Sequence, residues 1–388
     1  MKKLSSLLNS LKRETAGGKF IPFVDGIRFL AILPVVILHA NERLIRYVLP
    51  EEPTGVEGEI SYLISRGAIG VMIFFALSGF VLSLPFAKGV KEFSFKKYLK
   101  RRLTRLEPPY IFWMTIFALI FLIKSGSQLA DMIPHYLASI FYLHNVIYQE
   151  FPMINPVAWS LEVEIQYYLL APFLALFYFK FQQIRNRRIG LSLIIVGFIT
   201  IQHLLGWQFQ PFRASLLGQA QHFLVGMLAA DFYIHGIKKF KISPYTLDIL
   251  GVLSLVTMMF TWTDELFKMI IFSTATLVFF LSAFNGKVIP KILSIKWIAV
   301  IGGMCYTIYL THLPLLELIY SFIAKFGHSS SYLISLTISL IIALAAVLFS
   351  SVVFYKFIEK PFMKRDGFKE FITRIKKLGR TKRAETAL

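Results

Sequence analysis

Phe23-Val-Asp-Gly-Ile-Arg-Phe-Leu-Ala-Ile-Leu-Pro-Val-Val-Ile-Leu-His-Ala40 is an apolar run long enough to cross a bilayer, yet it carries Arg28 and His39. Ionisable side chains are costly in hydrocarbon, so those found there commonly line a cavity holding water or substrate. Eleven residues at about 100° each end only about 20° past three full turns, which puts both groups on one helix face. At about 1.5 Å rise per residue they stand roughly 16 Å apart, too far to touch but placed to address one elongated substrate. The bland alternative is an arginine snorkelling to the interface and a histidine bonded to a neighbouring helix. Two such groups on one face favour a functional role.

The rest of the chain agrees with a membrane setting. Of its 388 residues 56% are hydrophobic and 38 are Phe, and the mean hydropathy is +0.63. Repeated apolar runs of about 20 residues define a polytopic membrane protein. The pI of 9.9 does not point to nucleic acid, because most of the 42 basic residues collect at 1–20, 86–108, 180–188, 236–244, 285–296 and 356–388. That clustering follows the positive-inside rule, with anionic lipid as the natural partner and nucleic acid excluded. The single cysteine, Cys305, rules out an intrachain disulfide and a cysteine metal site, and reads as packing.

Apolar segments fall near 22–40, 67–86, 109–124, 159–180, 189–206, 213–235, 245–262, 267–284, 297–323 and 331–357. Pro134, His135, His144 and Asn145 dilute a further segment, 132–148. If it crossed, the basic cluster at 180–188 would fall outside; if it stays on the outer face, every basic cluster is cytoplasmic. The expected fold is therefore all-α, with about ten transmembrane helices and both termini cytoplasmic. Residues 1–20 form a cytoplasmic segment without the apolar core of a cleavable signal peptide, so the first span stays as an anchor. Residues 21–360 form the membrane domain, and 361–388 a basic cytoplasmic tail, an interfacial helix that frays. No two-halves repeat of the transporter kind is visible, and no soluble catalytic domain is expected.

Further polar groups could carry chemistry. Arg102 and Arg105, three apart, share a helix face and could grip phosphates together, or serve only as topogenic charge like their lysine neighbours. Pro108 and Pro109 are expected to kink or break the helix beside them. Ser78-Gly79 suits close helix approach, and Ser78 lies outside any nucleophile-elbow pattern. Glu162 and Glu164, two apart, point about 200° away from each other, so they cannot share a cavity. One is expected to cap a helix N-terminus and the other to be free for function. His312, in the ninth span, is either a structural hydrogen-bonder or a catalytic group.

In this order the segments resemble acyltransferase family 3, integral membrane enzymes that include O-antigen, peptidoglycan and nodulation-factor O-acetyltransferases and macrolide-acylating enzymes. Asp25-Gly-Ile-Arg28 with His39 resembles that family's basic residue, ten intervening residues, then histidine. Phe75-Ala-Leu-Ser-Gly79, Arg102-Leu-Thr-Arg105, Trp159-Ser-Leu-Glu-Val-Glu164, Tyr309-Leu-Thr-His312 and Phe357-Ile-Glu-Lys-Pro-Phe362 complete the set, which covers roughly residues 20 to 365. Two departures stand out. Ile165 replaces the second of two adjacent glutamates, so only Glu164 carries over, and the secreted esterase-like domain of some members is not expected here.

The resemblance implies transfer of an acyl group, usually acetyl, from cytoplasmic acyl-CoA to a hydroxyl of a cell-envelope polysaccharide or lipid-linked glycan, in a bacterial inner membrane. His39, Arg28, Glu164 and His312 would be catalytic, and Arg102, Arg105 and Ser78 would contact the acyl-CoA donor; no metal is expected. His39 has the chemistry of a general base near neutral pH, or of a nucleophile in an acyl-histidine relay. Arg28 could polarise the thioester carbonyl or steer the pantetheine arm. Acylation of a small molecule such as a macrolide, and transport of a lipid-linked sugar or organic acid, are the competing readings.

Overall fold

The computed structural model describes residues 8–13, 21–90, 92–126, 128–236, 242–326 and 331–363. Most of the expected cytoplasmic segment 1–20, and the expected tail beyond Met363, lie outside the described residues. Those described form helices joined by turns and loops, with no strand among them.

Helix α1 (Pro22–Tyr47) opens with proline at its first turn, where a missing N–H costs nothing, and Asp25 complements the dipole there. It is followed by α2 (Gly55–Ser65) and α3 (Ile69–Ala87), joined through the short 3-10 turn Arg66–Ala68. Then come α4 (Phe95–Ser125), the short α5 (Leu129–Ile140) and α6 (His144–Tyr148), and α7 (Trp159–Lys180). The second half holds α8 (Ile184–Leu204), α9 (Leu216–His235), α10 (Pro244–Thr261), α11 (Leu266–Asn285) and α12 (Ile289–Leu293). It ends with α13 (Lys296–Gly303), α14 (Cys305–Ile323), α15 (Tyr332–Phe354) and, past a π-turn at Tyr355–Glu359, α16 (Lys360–Met363).

Eight described helical segments are long and apolar enough to cross a membrane. Two of the ten segments read from sequence, α7 and α9, form helices of 22 and 20 residues but are not among these eight. Each carries polar groups that turn inward: Glu162 on α7 and Gln219, Gln221 and Asp231 on α9 are buried against protein. The segment 132–148 breaks into α5 and α6. With 12 residues α5 reaches only about 18 Å, short of the roughly 30 Å hydrocarbon core.

Small residues set the closest approaches. Gly67 and Gly70 of the α2–α3 run lie on the backbone carbonyls of Pro34 and Ala31, so this run crosses α1 antiparallel to it. Gly79 lies on the carbonyl of Phe223 and Gly226 on that of Ala76, so a β-carbon at either would overlap backbone. This is the close approach that the Ser78-Gly79 step predicts, and it makes α3 the slat between α1 and α9.

Two expectations are corrected. Pro108 and Pro109 do not break their helix: both lie inside α4, which runs on past them. A proline leaves the helix running at the cost of one backbone bond, and beside this pair the Tyr306 hydroxyl donates to the Leu106 carbonyl at 2.9 Å, tying α14 to α4. The expected span 297–323 is two helices broken at Met304, with Gly302 seated on the backbone of Asp25.

Candidate active site

α1 and α14 run side by side in the same direction, and chemistry gathers at both ends of the pair. At one end the His39 ring on α1 meets the His312 ring on α14, centroids 5.3 Å apart. Glu42, one turn beyond His39, sets its Oε2 2.8 Å from His39 Nδ1. A carboxylate only accepts, so Nδ1 carries the hydrogen and Nε2 presents its lone pair. Arg43 bonds Glu42 at 2.9 Å and Glu317 of α14 at 3.1 Å, and Tyr47 donates to Glu317.

His312 is fully buried, with Nδ1 at 3.0 Å from the Ile308 carbonyl and 2.8 Å from that of Tyr309. Its Nδ1 therefore also carries the hydrogen, while its buried Nε2 has no partner. The two neighbouring imidazoles thus each leave the Nε2 lone pair unbonded. The His39 side chain keeps 20% of its surface exposed, so of the two it is the one open to an incoming hydroxyl.

The opposite end is cationic. Asp25 accepts from Arg28, one turn along α1, and from Arg13 at 3.0 Å. Arg105 of α4 stands within electrostatic reach of Arg13, Arg28, Arg102 and Glu359. Glu359 is held by the Thr307 amide at 3.2 Å and its hydroxyl at 2.7 Å. Against the carboxylates of Asp25 and Glu359 stand the guanidinium groups of Arg13, Arg28 and Arg105, so positive charge is in excess. Sequence reasoning missed Arg13, whose basic stretch reads as topogenic charge. The segment is docked onto the bundle, with Leu11 buried and Lys360 donating to the Ser10 carbonyl at 2.6 Å.

Between α3, α4 and α7 lies a third group. Ser78 donates to Glu164, and Tyr168 donates to the same carboxylate oxygen at 2.7 Å. Arg102 lies over the rings of Tyr168 and Tyr98, at 5.6 and 5.8 Å from their centroids. Ser78 and Glu164 are therefore brought together, whereas Arg102 and Arg105 turn to different neighbours. Glu162 points elsewhere: its Oε2 takes the Asn145 amide at 2.9 Å, capping α6 rather than its own helix.

Glu42 lies just past the first apolar segment, 22–40, whereas Glu317 is a single carboxylate inside the segment 297–323. Glu42 follows His39 by one helical turn, and Glu317 follows His312 by five residues, so both fall where parallel helices bring their ends together. Among the described residues no group of three or more His, Cys, Asp or Glu could hold a metal ion.

A bundle of long apolar helices with paired imidazoles at one end and clustered arginines at the other is a polytopic membrane protein with a polar centre inside it. The chain belongs to acyltransferase family 3, whose acyltransferase domain matches residues 21–356. It is similar to the O-acetyltransferase OatA of Staphylococcus aureus strain NCTC 8325 / PS 47, with 27% identity over 389 residues, 93% of this chain and 60% of the relative. OatA of strain MRSA252 is 27% identical over 381 residues, covering 91% of this chain and 58% of the relative. The chain thus spans about three fifths of the length of these relatives. No solved structure gives a significant match.

Proposed function

We propose that this protein moves an acyl group, most simply acetyl, from cytoplasmic acyl-CoA to a hydroxyl of a cell-envelope polysaccharide or lipid-linked glycan. The observation that carries the reading is the His39–Glu42 pair facing His312, eleven residues along α1 from Arg28 and its partner arginines. In this reading the chain crosses a bacterial inner membrane ten times, α7 and α9 included, with both termini cytoplasmic and anionic lipid against its basic clusters. Residues 21–360 are the catalytic domain, flanked by a cytoplasmic segment 1–20 and a basic tail 361–388.

Coenzyme A is polyanionic, and Arg13, Arg28, Arg102 and Arg105 supply charge-assisted donors for its phosphates at the cytoplasmic end. The pantetheine arm then runs along α1 towards His39, a rise of roughly 16 Å. His39 Nε2 takes the proton of the acceptor hydroxyl as its oxygen attacks the thioester carbonyl carbon. The carbon–sulfur bond breaks, and the departing thiolate takes that proton back from His39. Glu42 fixes the tautomer this step needs. Ser78 and Glu164 shape the path of the donor, and His312 Nε2 offers a second proton acceptor beside His39.

Purified protein in lipid, given acetyl-CoA and envelope glycan, tests the proposal through release of free coenzyme A. Wild-type release that disappears in His39→Ala supports it. Near wild-type release from a well-folded His39→Ala protein removes His39 as the base. Absence of both release and acetyl-CoA binding in wild type favours the transporter reading.

A further inference from the structure

A second polar cavity lies away from the histidines, between α3, α9, α10 and α11. It has an empty volume of about 450 Å³, open solvent at its mouth included, and its lining includes Gln208, Arg213, Gln219, Gln221, His222 and Trp262. Gln208 and His222 are each 7% exposed, and Gln219 and Gln221 each 4%. Each of these four has a buried polar atom without a partner: Oε1 of the three glutamines and Nδ1 of His222.

The other ends of the three on α9 are committed. Gln219 Nε2 donates to the Arg213 carbonyl at 2.8 Å, and Gln221 Nε2 to the Gly218 carbonyl at 3.3 Å and to His222 Nε2 at 3.2 Å. With its Nε2 accepting, His222 carries its hydrogen on Nδ1. The cavity therefore presents two fixed acceptors, from Gln219 and Gln221, and one fixed donor, from His222, with the Gln208 carbonyl oxygen, Arg213 and Asp264 also on its lining. Leaving a buried polar group unmet costs about 1–3 kcal/mol, and four on one wall are costly unless something polar meets them.

Hydroxyl groups are the matching chemistry, because each donates to a carbonyl oxygen and can accept from an imidazole N–H. The wall is also rigid. Arg66 bonds the carbonyls of Met259, at 2.7 Å, and Trp262, fastening the end of α10 to the α2–α3 turn. The cavity opens at the His39 end of the bundle, because Asn41 of α1 bonds Ser61 of α2 at 2.9 Å, just before that turn. α3 packs between α1 on one side and α9 on the other. The cavity and the paired histidines therefore share one end of the molecule without sharing a wall.

We propose that this cavity is a saccharide subsite, gripping a neutral, hydroxyl-rich unit of the acceptor glycan distant from the unit that meets His39. The inference rests on the reading of the protein as a glycan acyltransferase. Such a subsite favours long acceptors over short ones, since only a long chain fills both places.

The test titrates the full-length His39→Ala protein in lipid with chitobiose and chitohexaose, then repeats it with Gln219→Met plus Gln221→Met, and separately with Gln208→Met. The expected result is tighter binding of the hexamer than the dimer, with the advantage cut about tenfold by the double substitution, as loss of one or two net hydrogen bonds implies. Gln208→Met, on the loop before α9, gives the same direction if the helix variants fail to fold. Equal binding of both lengths, or hexamer binding unchanged in variants that still bind acetyl-CoA, overturns the subsite. Failure of the acyltransferase reading is seen separately, as wild-type protein that releases no coenzyme A whatever the oligosaccharides do.

Discussion

Glu42 holds the Nδ1 of His39 at 2.8 Å from the next turn of the same helix, and it is in turn bonded by Arg43 at 2.9 Å. The ring is thereby turned so that Nε2 is its free face. Replacing Glu42 with alanine leaves the base in place but without its orienting partner. We expect kcat for coenzyme A release to fall about a hundredfold, within the range attributed to a positioned general base, while the KM for acyl-CoA stays near wild type. A Glu42→Ala protein with unchanged kcat would leave the pair without a catalytic role.

A fully buried histidine bonded to its own helix carbonyls, as His312 is, fits a packing role as well as a place on the proton path. Non-additivity separates the two. If His39 and His312 act on one proton path, the double substitution His39→Ala plus His312→Ala is no slower than His39→Ala alone, because groups that work as a unit are lost together. Independent multiplicative losses, or a collapse of thermal stability in His312→Ala alone, would make it structural.

The cationic end predicts a binding phenotype. Arg102→Ala plus Arg105→Ala, and separately Arg13→Ala, should raise the KM for acyl-CoA about tenfold or more with little change in saturated turnover. The effect should shrink as salt rises, since it comes from charge on phosphate. Unchanged acyl-CoA affinity at low salt in either variant would return those arginines to topology. Arg13 and Arg28 both partner the buried carboxylate of Asp25, so the Arg102 and Arg105 pair is the cleaner probe.

Helix periodicity made much of this site legible. Arg28 and His39 could be placed on one face because helical geometry converts their spacing directly into angle and distance. The opposed directions of Glu162 and Glu164 followed from the same arithmetic, and the structure sends them to Asn145 and Ser78. What stayed hidden needed contacts between distant segments. Arg13 looks like any basic residue before a first span until its stretch docks and meets Asp25. Glu42 lies past the end of its apolar window, where hydropathy stops reporting even though the helix continues, and Glu317 sits inside one, where a single carboxylate is averaged away until Arg43 and Tyr47 meet it. α7 and α9 blur for the opposite reason: their polar groups are buried inside protein, so composition understates how deeply they lie. The split at Met304 lies two residues past the seating of Gly302 on Asp25, a contact that hydropathy cannot register.

One prediction concerns the scaffold rather than the chemistry. Arg187 and Arg188, expected from sequence to be topogenic charge, close on Asp231 of α9. Arg187 bonds both carboxylate oxygens, at 2.7 and 2.8 Å, and Arg188 bonds Oδ1 at 3.2 Å. The Tyr178 hydroxyl adds a bond at 2.6 Å, so α7, α8 and α9 are tied at one buried point. The Asp231 side chain is 0% exposed and that of Arg187 only 5%, so removing the carboxylate strands a buried guanidinium. Breaking such a pair from one side costs about 3–5 kcal/mol, whereas topogenic charge alone would cost almost nothing in the folded protein. Asp231→Ala should therefore lower the thermal midpoint in lipid or detergent by many degrees, while the molecules that remain folded keep the wild-type KM for acyl-CoA. A midpoint within a degree or two of wild type would mean that the cluster serves membrane insertion and does not hold the bundle together.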